Sequence, residues 1–346
     1  MGIAGLVDAP VLICGDIDRG GIFAQLYGTT ELLAPWEKQR VKGLLVNKFR
    51  GDYEILKPGL SMMEEKTGVP VLGVVPYLAH RIDGEDSLSL TRFEQQKNST
   101  ESAVFDIAVI RFPHIANYTD IAPLLYNALC RVRFVEHPDT LGTPDAIILP
   151  GTKSTVADLL KMRESGLEER IKVLAAFGVP VIGICGGYQM LGNELFDPFG
   201  VEHSGRTYTK GMGLLPVHTR FLTEKKTVRT RATVAAAPFA GAKLDGFEIH
   251  MGESTVEGEP FALCEDGTRE GCVKGAVVGT YLHGLFDNGE LTEKLMRHLA
   301  GKKGVLLDEL PITGKNVAME QEYDKLADAV RSAISMEKIY EILRQE

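Results

Sequence analysis

The sequence is short of the residues that would place it in several large protein classes. Its five cysteines, at 14, 130, 185, 264 and 272, are odd in number, scattered, and form no C-x-x-C pair. That spacing suggests neither a zinc site nor a disulfide framework, so no intrinsic metal is expected. Cys264 and Cys272 lie near enough to meet across a hairpin, but in a reducing compartment they read as packing residues. No apolar run reaches membrane-spanning length, and no basic region precedes a signal-like core, so a cytoplasmic protein without a membrane partner is expected. A net charge of -9 leaves no basic footprint for nucleic acid. Also missing is G-x-x-x-x-G-K-[ST], the loop whose backbone amides cradle phosphates. Gly151-Thr-Lys-Ser154 comes close, but has one residue too many between Gly and Lys and lacks the earlier glycine.

What remains is the composition of an ordinary globular protein, 44% hydrophobic and 25% charged, with 346 residues, enough for two cores. The chain is organised around Val179-Pro-Val-Ile-Gly-Ile-Cys-Gly-Gly-Tyr-Gln-Met-Leu-Gly192. The apolar run to Ile184 predicts a buried strand, and Tyr188 to Leu195 predicts a helix. Between them, Gly183-Ile-Cys-Gly-Gly187 has the G-x-nucleophile-x-G form of a nucleophile elbow. A cysteine ending a buried strand is commonly a packing residue; the flanking glycines favour the nucleophile. The helix start favours a thiolate, and the Gly186 N–H is placed to face a developing oxyanion.

Upstream, strands are predicted from Ala9 to Gly15, Val41 to Asp52 and Val69 to Pro76, with helices from Ile22 to Leu33 and Tyr53 to Lys66. Alternation of this kind implies right-handed parallel crossovers. The first strand ends in Asp16-Ile-Asp-Arg-Gly-Gly21, which suits Mg-phosphate coordination and suits an ordinary turn equally well. The second ends at Asn47 and Lys48, on the edge where open α/β sheets bind ligands. Residues 94–102 are polar and unpatterned, as a linker would be. A second α/β series follows, with strands from Phe105 to Phe112, Val132 to Glu136 and Ala146 to Pro150. A helix is predicted from Thr119 to Cys130, and Ser154 as the N-cap of another. Shorter β-like runs fill 207–256. A last strand, Ala276 to Leu282, delivers His283, the histidine best placed to serve as base for Cys185. A helix from Leu291 to Leu299 and a helical tail from Glu320 to Leu343 complete the pattern, the tail's apolar positions reading as core packing. His250 is the rival to His283, with a structural or substrate-contact role expected.

Gly183-Ile-Cys-Gly-Gly-Tyr-Gln189 resembles the active-site signature of class I glutamine amidotransferases. The resemblance implies that Gln189 helps hold substrate glutamine. It also implies that Gly151 or Thr152, in Pro150-Gly-Thr-Lys-Ser154, joins Gly186 as an oxyanion donor. The general class carries a glutamate two residues after the histidine; here that position is Leu285, as in the cobyrinate-amidating subgroup. Six motifs narrow the likeness: Asp16 to Gly21, Val46 to Gly51, Asn117-Tyr-Thr-Asp120, Gly211 to Pro216, Phe247-Glu-Ile-His-Met-Gly252 and Gly279 to Phe286. Together, and in order, they resemble the cobyric acid synthase family, and match cobyrinic acid a,c-diamide synthases less well.

That likeness implies an α/β chain in three parts. A truncated, dethiobiotin-synthetase-like parallel-sheet domain of the P-loop class spans 1–98, a glutamine amidotransferase domain 103–300, and a helical tail 301–346. It implies an ATP-dependent ligase of cobalamin biosynthesis, with glutamine as ammonia source. The corrinoid acceptor would be adenosylcobyrinic acid a,c-diamide, amidated at side chains b, d, e and g. ATP and Mg enter as co-substrates, with Asp16 and Asp18 near the Mg-phosphates, Asn47 near the adenine, and no bound prosthetic group. Because the phosphate loop is missing, weak ATP binding is expected of this chain, with a separate chain as one possible source of the loop. The other readings are a glutaminase-only or non-enzymatic remnant, and an amidotransferase acting on a cell-wall precursor.

Overall fold

The computed structural model describes residues 1–78, 103–306 and 315–344, without the side chains of Tyr118 and of 315–319. The linker expected at 94–102 lies outside the described residues. Two compact units emerge, one grouping Met1–Ile82 with Met319–Glu346 and the other Asp83–Ala318.

In the first unit, a short helix α1 (Gly2–Leu6) precedes β1 (Val11–Asp16), α2 (Ile22–Glu31), α3 (Pro35–Lys38), β2 (Val41–Phe49), α4 (Tyr53–Thr67) and β3 (Val71–Pro76). The three strands pair in parallel in the order β1-β2-β3. Each helix is set by its apolar spacing: Ile22 and Leu26 on α2, and Leu56, Leu60 and Met63 on α4, are buried against Val41, Leu44 and Val46 of β2. Asp52 caps α4 by accepting the Glu54 N–H at 2.9 Å, and Gly68 closes it at φ 67°.

Of the tail expected at 301–346, the part from Met319 onward groups with this unit. A break after Ala333 bridges Ile334 to Gly73, on the edge of β3 to which no other described strand pairs, and the Ser335 N–H donates to the Leu72 carbonyl at 2.8 Å. Gly73 is required by that contact, because a Cβ there would lie 2.4 Å from the Ala333 carbonyl oxygen. The tail's apolar positions, Leu326, Ala329, Val330 and Ile334, are half-buried.

The second unit runs β4 (Phe105–Ile110), α5 (Ala122–Leu125), β5 (Cys130–Val135), α6 (Pro138–Leu141), β6 (Ala146–Leu149), α7 (Thr155–Glu164), α8 (Leu167–Ala176), β7 (Val181–Ile184) and α9 (Gly186–Leu191). Then come β8 (Glu194–Phe196), β9 (Tyr208–Lys210), the long hairpin β10 (Val217–Val234) and β11 (Lys243–Val256), β12 (Ala262–Cys264), β13 (Arg269–Glu270), β14 (Cys272–Lys274), β15 (Val277–Thr280), β16 (Leu282–His283) and α10 (Glu290–Lys303). The central sheet has the order β14-β15-β7-β6-β4-β5, parallel except for β14. Every residue of β6 and β7 is buried, as expected for strands covered on both faces. A second sheet is built on the β10–β11 hairpin, and β16 crosses to its edge beside β11.

Three expectations need correction. The helix predicted from Thr119 to Cys130 is a 3-10 turn, Tyr118–Ile121, followed by the four-residue α5. Asn127 diverts the chain there, its side chain accepting the Leu129 N–H at 3.0 Å. The helix after the elbow stops at Leu191 instead of Leu195, because Gly192 is extended and Leu195, in β8, pairs with Thr219 of β10. Ser154 stands at the N-cap of α7, but its side chain makes no capping bond; Glu202 accepts the Val156 N–H at 2.9 Å instead. The five cysteines are all free, Cys264 and Cys272 included.

Candidate active site

Cys185 sits at the junction of β7 and α9 with φ 51° and ψ -107°, left-handed space that a side chain rarely enters. Such a residue costs about 1–3 kcal/mol and persists only where its surroundings enforce it. The glycines supply that enforcement. A Cβ on Gly187 would lie 2.0 Å from the Leu149 carbonyl oxygen at the end of β6, and one on Gly183 would lie 2.5 Å from Leu191 Cδ1. Strand and helix therefore close around the turn, as the elbow pattern requires. The Cys185 N–H donates to the Thr280 carbonyl at 2.8 Å, and the thiol faces the Ile249 carbonyl at 3.7 Å.

His283, at the end of β16, reaches this thiol. Its side chain is 1% exposed, and its Nδ1 lies 2.7 Å from Oδ2 of Asp120, itself 3% exposed. Asp120 Oδ1 accepts the Gly284 N–H at 2.8 Å, so one carboxylate holds both the ring and the backbone after it. Asn117 Nδ2 is 3.2 Å from Nε2, and the Phe247 ring stacks on the imidazole with centroids 5.2 Å apart. Burial by itself would push the imidazole pKa down. The Asp120 hydrogen bond, then one with the Cys185 thiol, outweighs it and raises the pKa from its ordinary 6.5 to about 10. Asp120 is the residue that sequence reasoning did not find in this role. In the sequence it stands only within the motif Asn117-Tyr-Thr-Asp120, at the start of an expected helix.

The loop after β6 faces Cys185. A Cβ on Gly151 would lie 3.3 Å from His283 Cε1 and 3.8 Å from Cys185 Cβ, so position 151 adjoins both. Thr152 forms an antiparallel bridge with Ile115, through Ala116 N–H to the Gly151 carbonyl at 2.8 Å and Lys153 N–H to the His114 carbonyl at 3.0 Å. Bonds in that pattern flank the 115–152 pair and turn the N–H of Thr152 outward. A Cβ on Gly186 would come within 3.1 Å of that nitrogen. The two expected oxyanion donors thus lie side by side. Gln189 is 3% exposed; its Oε1 accepts from Thr155 Oγ1 at 3.0 Å and its Nε2 donates to the Tyr281 hydroxyl at 3.3 Å.

His250 is held in place by its neighbours. Its ring stacks on Tyr281 with centroids 3.7 Å apart, and its nitrogens meet the Gly252 carbonyl and the Glu248 carboxylate. Burial would raise the Glu248 carboxyl, but hydrogen bonds from His250, Lys226 and Thr230 hold it near about 2. A cavity of about 520 Å³ opens here, lined by Lys226, Glu248, His250, Ser254 and Tyr281 among others.

In the first unit the expected nucleotide residues also meet. Asp16 and Asn47 are cross-strand neighbours at the carboxyl edge of β1 and β2. Lys48 Nζ lies 2.7 Å from Asp16 Oδ2, and this hydrogen bond above all lowers the Asp16 pKa. Arg50 Nε lies 3.2 Å from Asp18 Oδ1 and stacks over Tyr77. Asn47 Oδ1 accepts the Lys48 N–H at 2.8 Å, which leaves its amide nitrogen to donate. Among the described residues no group of three or more His, Cys, Asp or Glu side chains is arranged to hold a metal, and no helix is long and apolar enough to cross a membrane.

Comparison with known proteins agrees with this geometry. Residues 106–291 match the family profile of the CobB/CobQ-like glutamine amidotransferase domain. A probable cobyric acid synthase of Methanosarcina barkeri is 47% identical over 350 residues, covering 99% of this chain and 69% of that protein. One from Methanosarcina mazei is 46% identical over 352 residues, covering 99% and 69%. The cobyric acid synthase of Desulforamulus reducens is 43% identical over 355 residues, covering 98% and 68%. These names do not favour the readings as a remnant, a diamide synthase or a cell-wall amidase, and nothing among them supports a separate chain that supplies a phosphate loop. With a family domain over half its length and such relatives along nearly all of it, this chain belongs to the cobyric acid synthase family, within the CobB/CobQ-like glutamine amidotransferases.

Proposed function

We propose that this chain is a glutamine-dependent amide ligase of cobalamin biosynthesis. It amidates adenosylcobyrinic acid a,c-diamide at side chains b, d, e and g, as family membership implies. The observation that carries the glutaminase half is the buried Asp120–His283 pair beside a cysteine in left-handed backbone space.

In the reaction, the Cys185 thiolate attacks the side-chain carbonyl carbon of glutamine. Negative charge gathers on the carbonyl oxygen, where the N–H groups of Thr152 and Gly186 receive it, with Gly151 leaving room for the reacting carbon. His283 gives its proton to the departing nitrogen, and the carbon–nitrogen bond breaks to release ammonia and a glutamyl thioester. His283, now neutral, takes a proton from water, whose oxygen attacks the thioester. Glutamate leaves, and the thiolate–imidazolium pair returns. Asp120 acts through His283, holding Nδ1 and stabilising the charged ring. Gln189, fixed by Thr155 and Tyr281, holds the bound glutamine.

We assign the ATP-dependent half to the sheet domain within 1–98, and the glutaminase half to 103–300. ATP converts a corrinoid carboxylate to an acyl phosphate, and ammonia displaces phosphate to give the amide. The edge residues fit a Mg-nucleotide in chemistry. Asp16 and Asp18 supply carboxylates for the cation, Lys48 and Arg50 supply charge for phosphate oxygens, and Asn47 keeps a donor free for a base.

Glutamate release from glutamine, compared between the wild type and Cys185→Ala, tests the reading. Activity in the wild type and its loss in the variant are expected. Undiminished release by Cys185→Ala would remove it.

A further inference from the structure

Beside the reacting groups stands a buried carboxylate that the mechanism above does not use. Asp158, in the first turn of α7, is 1% exposed. Its Oδ2 accepts the Thr152 hydroxyl at 2.5 Å and the His114 N–H at 3.3 Å, and its Oδ1 lies 2.8 Å from His114 Nδ1. All of these donors belong to two loops. One, after β6, carries Gly151 and Thr152. The other, after β4, runs through His114 to Asn117 and Asp120, the residues that contact His283. The Ile115–Thr152 bridge joins the same two loops through backbone alone, with two hydrogen bonds. The Thr152 hydroxyl also lies 3.1 Å from the His114 carbonyl and accepts the Ser154 N–H at 3.1 Å.

We infer that Asp158 is a positioning residue that fixes the oxyanion-binding loop against the loop that orients His283. The inference rests on the proposed thioester chemistry and extends it. Two backbone bonds alone leave the five-residue loop 150–154 free to rock. A side-chain hydroxyl drawn onto a buried carboxylate sets the direction of the N–H on the same residue. Thr152 is that residue: its hydroxyl points to Asp158 while its N–H points outward beside Gly186. The arrangement puts the positions of donor and base under one anchor, so losing the anchor costs transition-state stabilisation more than glutamine binding. His114 supports Asp158 from the solvent side, its side chain 52% exposed.

The test separates oxyanion stabilisation from thiol reactivity in the full chain. Asp158→Ala should lower kcat for glutamine hydrolysis about 100-fold, in the range seen when an oxyanion donor is removed, with KM changed less than about threefold. Alkylation of Cys185 by iodoacetamide, followed on its own peptide by mass spectrometry, builds up no charge on a carbonyl oxygen and should keep its rate. Asp158→Asn, which retains an acceptor for the hydroxyl, should recover part of kcat. Thr152→Val should lose about as much as Asp158→Ala, and the double variant no more than either. Retention of kcat within about threefold in Asp158→Ala, while Cys185→Ala is inactive, overturns this inference and spares the glutaminase reading; activity in Cys185→Ala removes the reading itself. Should Asp158→Ala fail to fold, full kcat in Thr152→Val overturns the inference equally.

Discussion

Asp120 Oδ2 stands 2.7 Å from His283 Nδ1 across 163 residues of sequence. The carboxylate that meets His283 therefore comes from the turn after β4, on the far side of the chain from the position at 285, where the general class keeps its glutamate and this chain has leucine. Leu285 is 2% exposed and serves the core. The geometry supplies a carboxylate partner for His283 from earlier in the chain than Cys185.

Replacement of Asp120 by Asn should keep the fold and lower glutaminase kcat by about 10³- to 10⁴-fold, the scale expected when a buried carboxylate behind a catalytic histidine is neutralised. Steady-state glutamate release checks this.

The same pair sets a pH dependence. His283 is raised from 6.5 to about 10, so its charged form is favoured in the folded state. Stability from that shift is fully present below about pH 6.5 and is lost as pH rises through about 10. The thiolate–imidazolium pair should fail over the same range, giving glutaminase activity an alkaline limb near 10. In Asp120→Asn the limb should move down towards the ordinary imidazole range. A pH–rate profile of both proteins reads the difference.

Much of this site is written in local sequence. Gly183, Cys185 and Gly187 mark the elbow because the turn itself demands small residues at those places, and His283 follows its strand directly. Asp120 is different. Its role exists only once β4 and β16 are brought together, and no local pattern distinguishes it from a polar residue in a helix start. The tail's attachment is hidden for the same reason. Half-buried positions at helical spacing say that a helix packs, but they do not say that Ile334 and Ser335 bond to β3, nearly the whole chain away. Asn127 likewise hid a break in a stretch whose apolar spacing looked helical.

Gly151→Val tests the space beside the sulfur. The added methyls would enter a gap only 3.3 Å from the imidazole and 3.8 Å from Cys185 Cβ. Glutaminase activity should fall at least about 100-fold, as displacement of aligned groups by even an ångström does. Thermal unfolding should change less than activity does, although the added side chain also meets the Ala116 carbonyl oxygen at 3.3 Å.

Calorimetry with Mg-ATP should find weaker binding in Lys48→Ala than in the wild type, because Lys48 brings positive charge beside Asp16 at the carboxyl edge of the sheet. Tight binding unaffected by that change would place the nucleotide elsewhere than the edge formed by Asp16 and Asn47.

Gly73→Val should detach the tail. A side chain there meets the Ala333 carbonyl, and overpacking of this kind costs about 1–3 kcal/mol. Limited proteolysis should release a fragment beginning near residue 334, while glutamine hydrolysis continues at the wild-type rate.

The bond between Leu72 and Ser335 also has a meaning for synthesis on the ribosome. The three described strands are made before the amidotransferase domain, and the segment that bonds to the third is translated only after it. Until then the edge at Leu72 and Gly73 lacks the partner that this segment supplies, and unpaired strand edges are surfaces through which nascent proteins aggregate. Rapid and independent folding of the intervening domain would shorten that exposure.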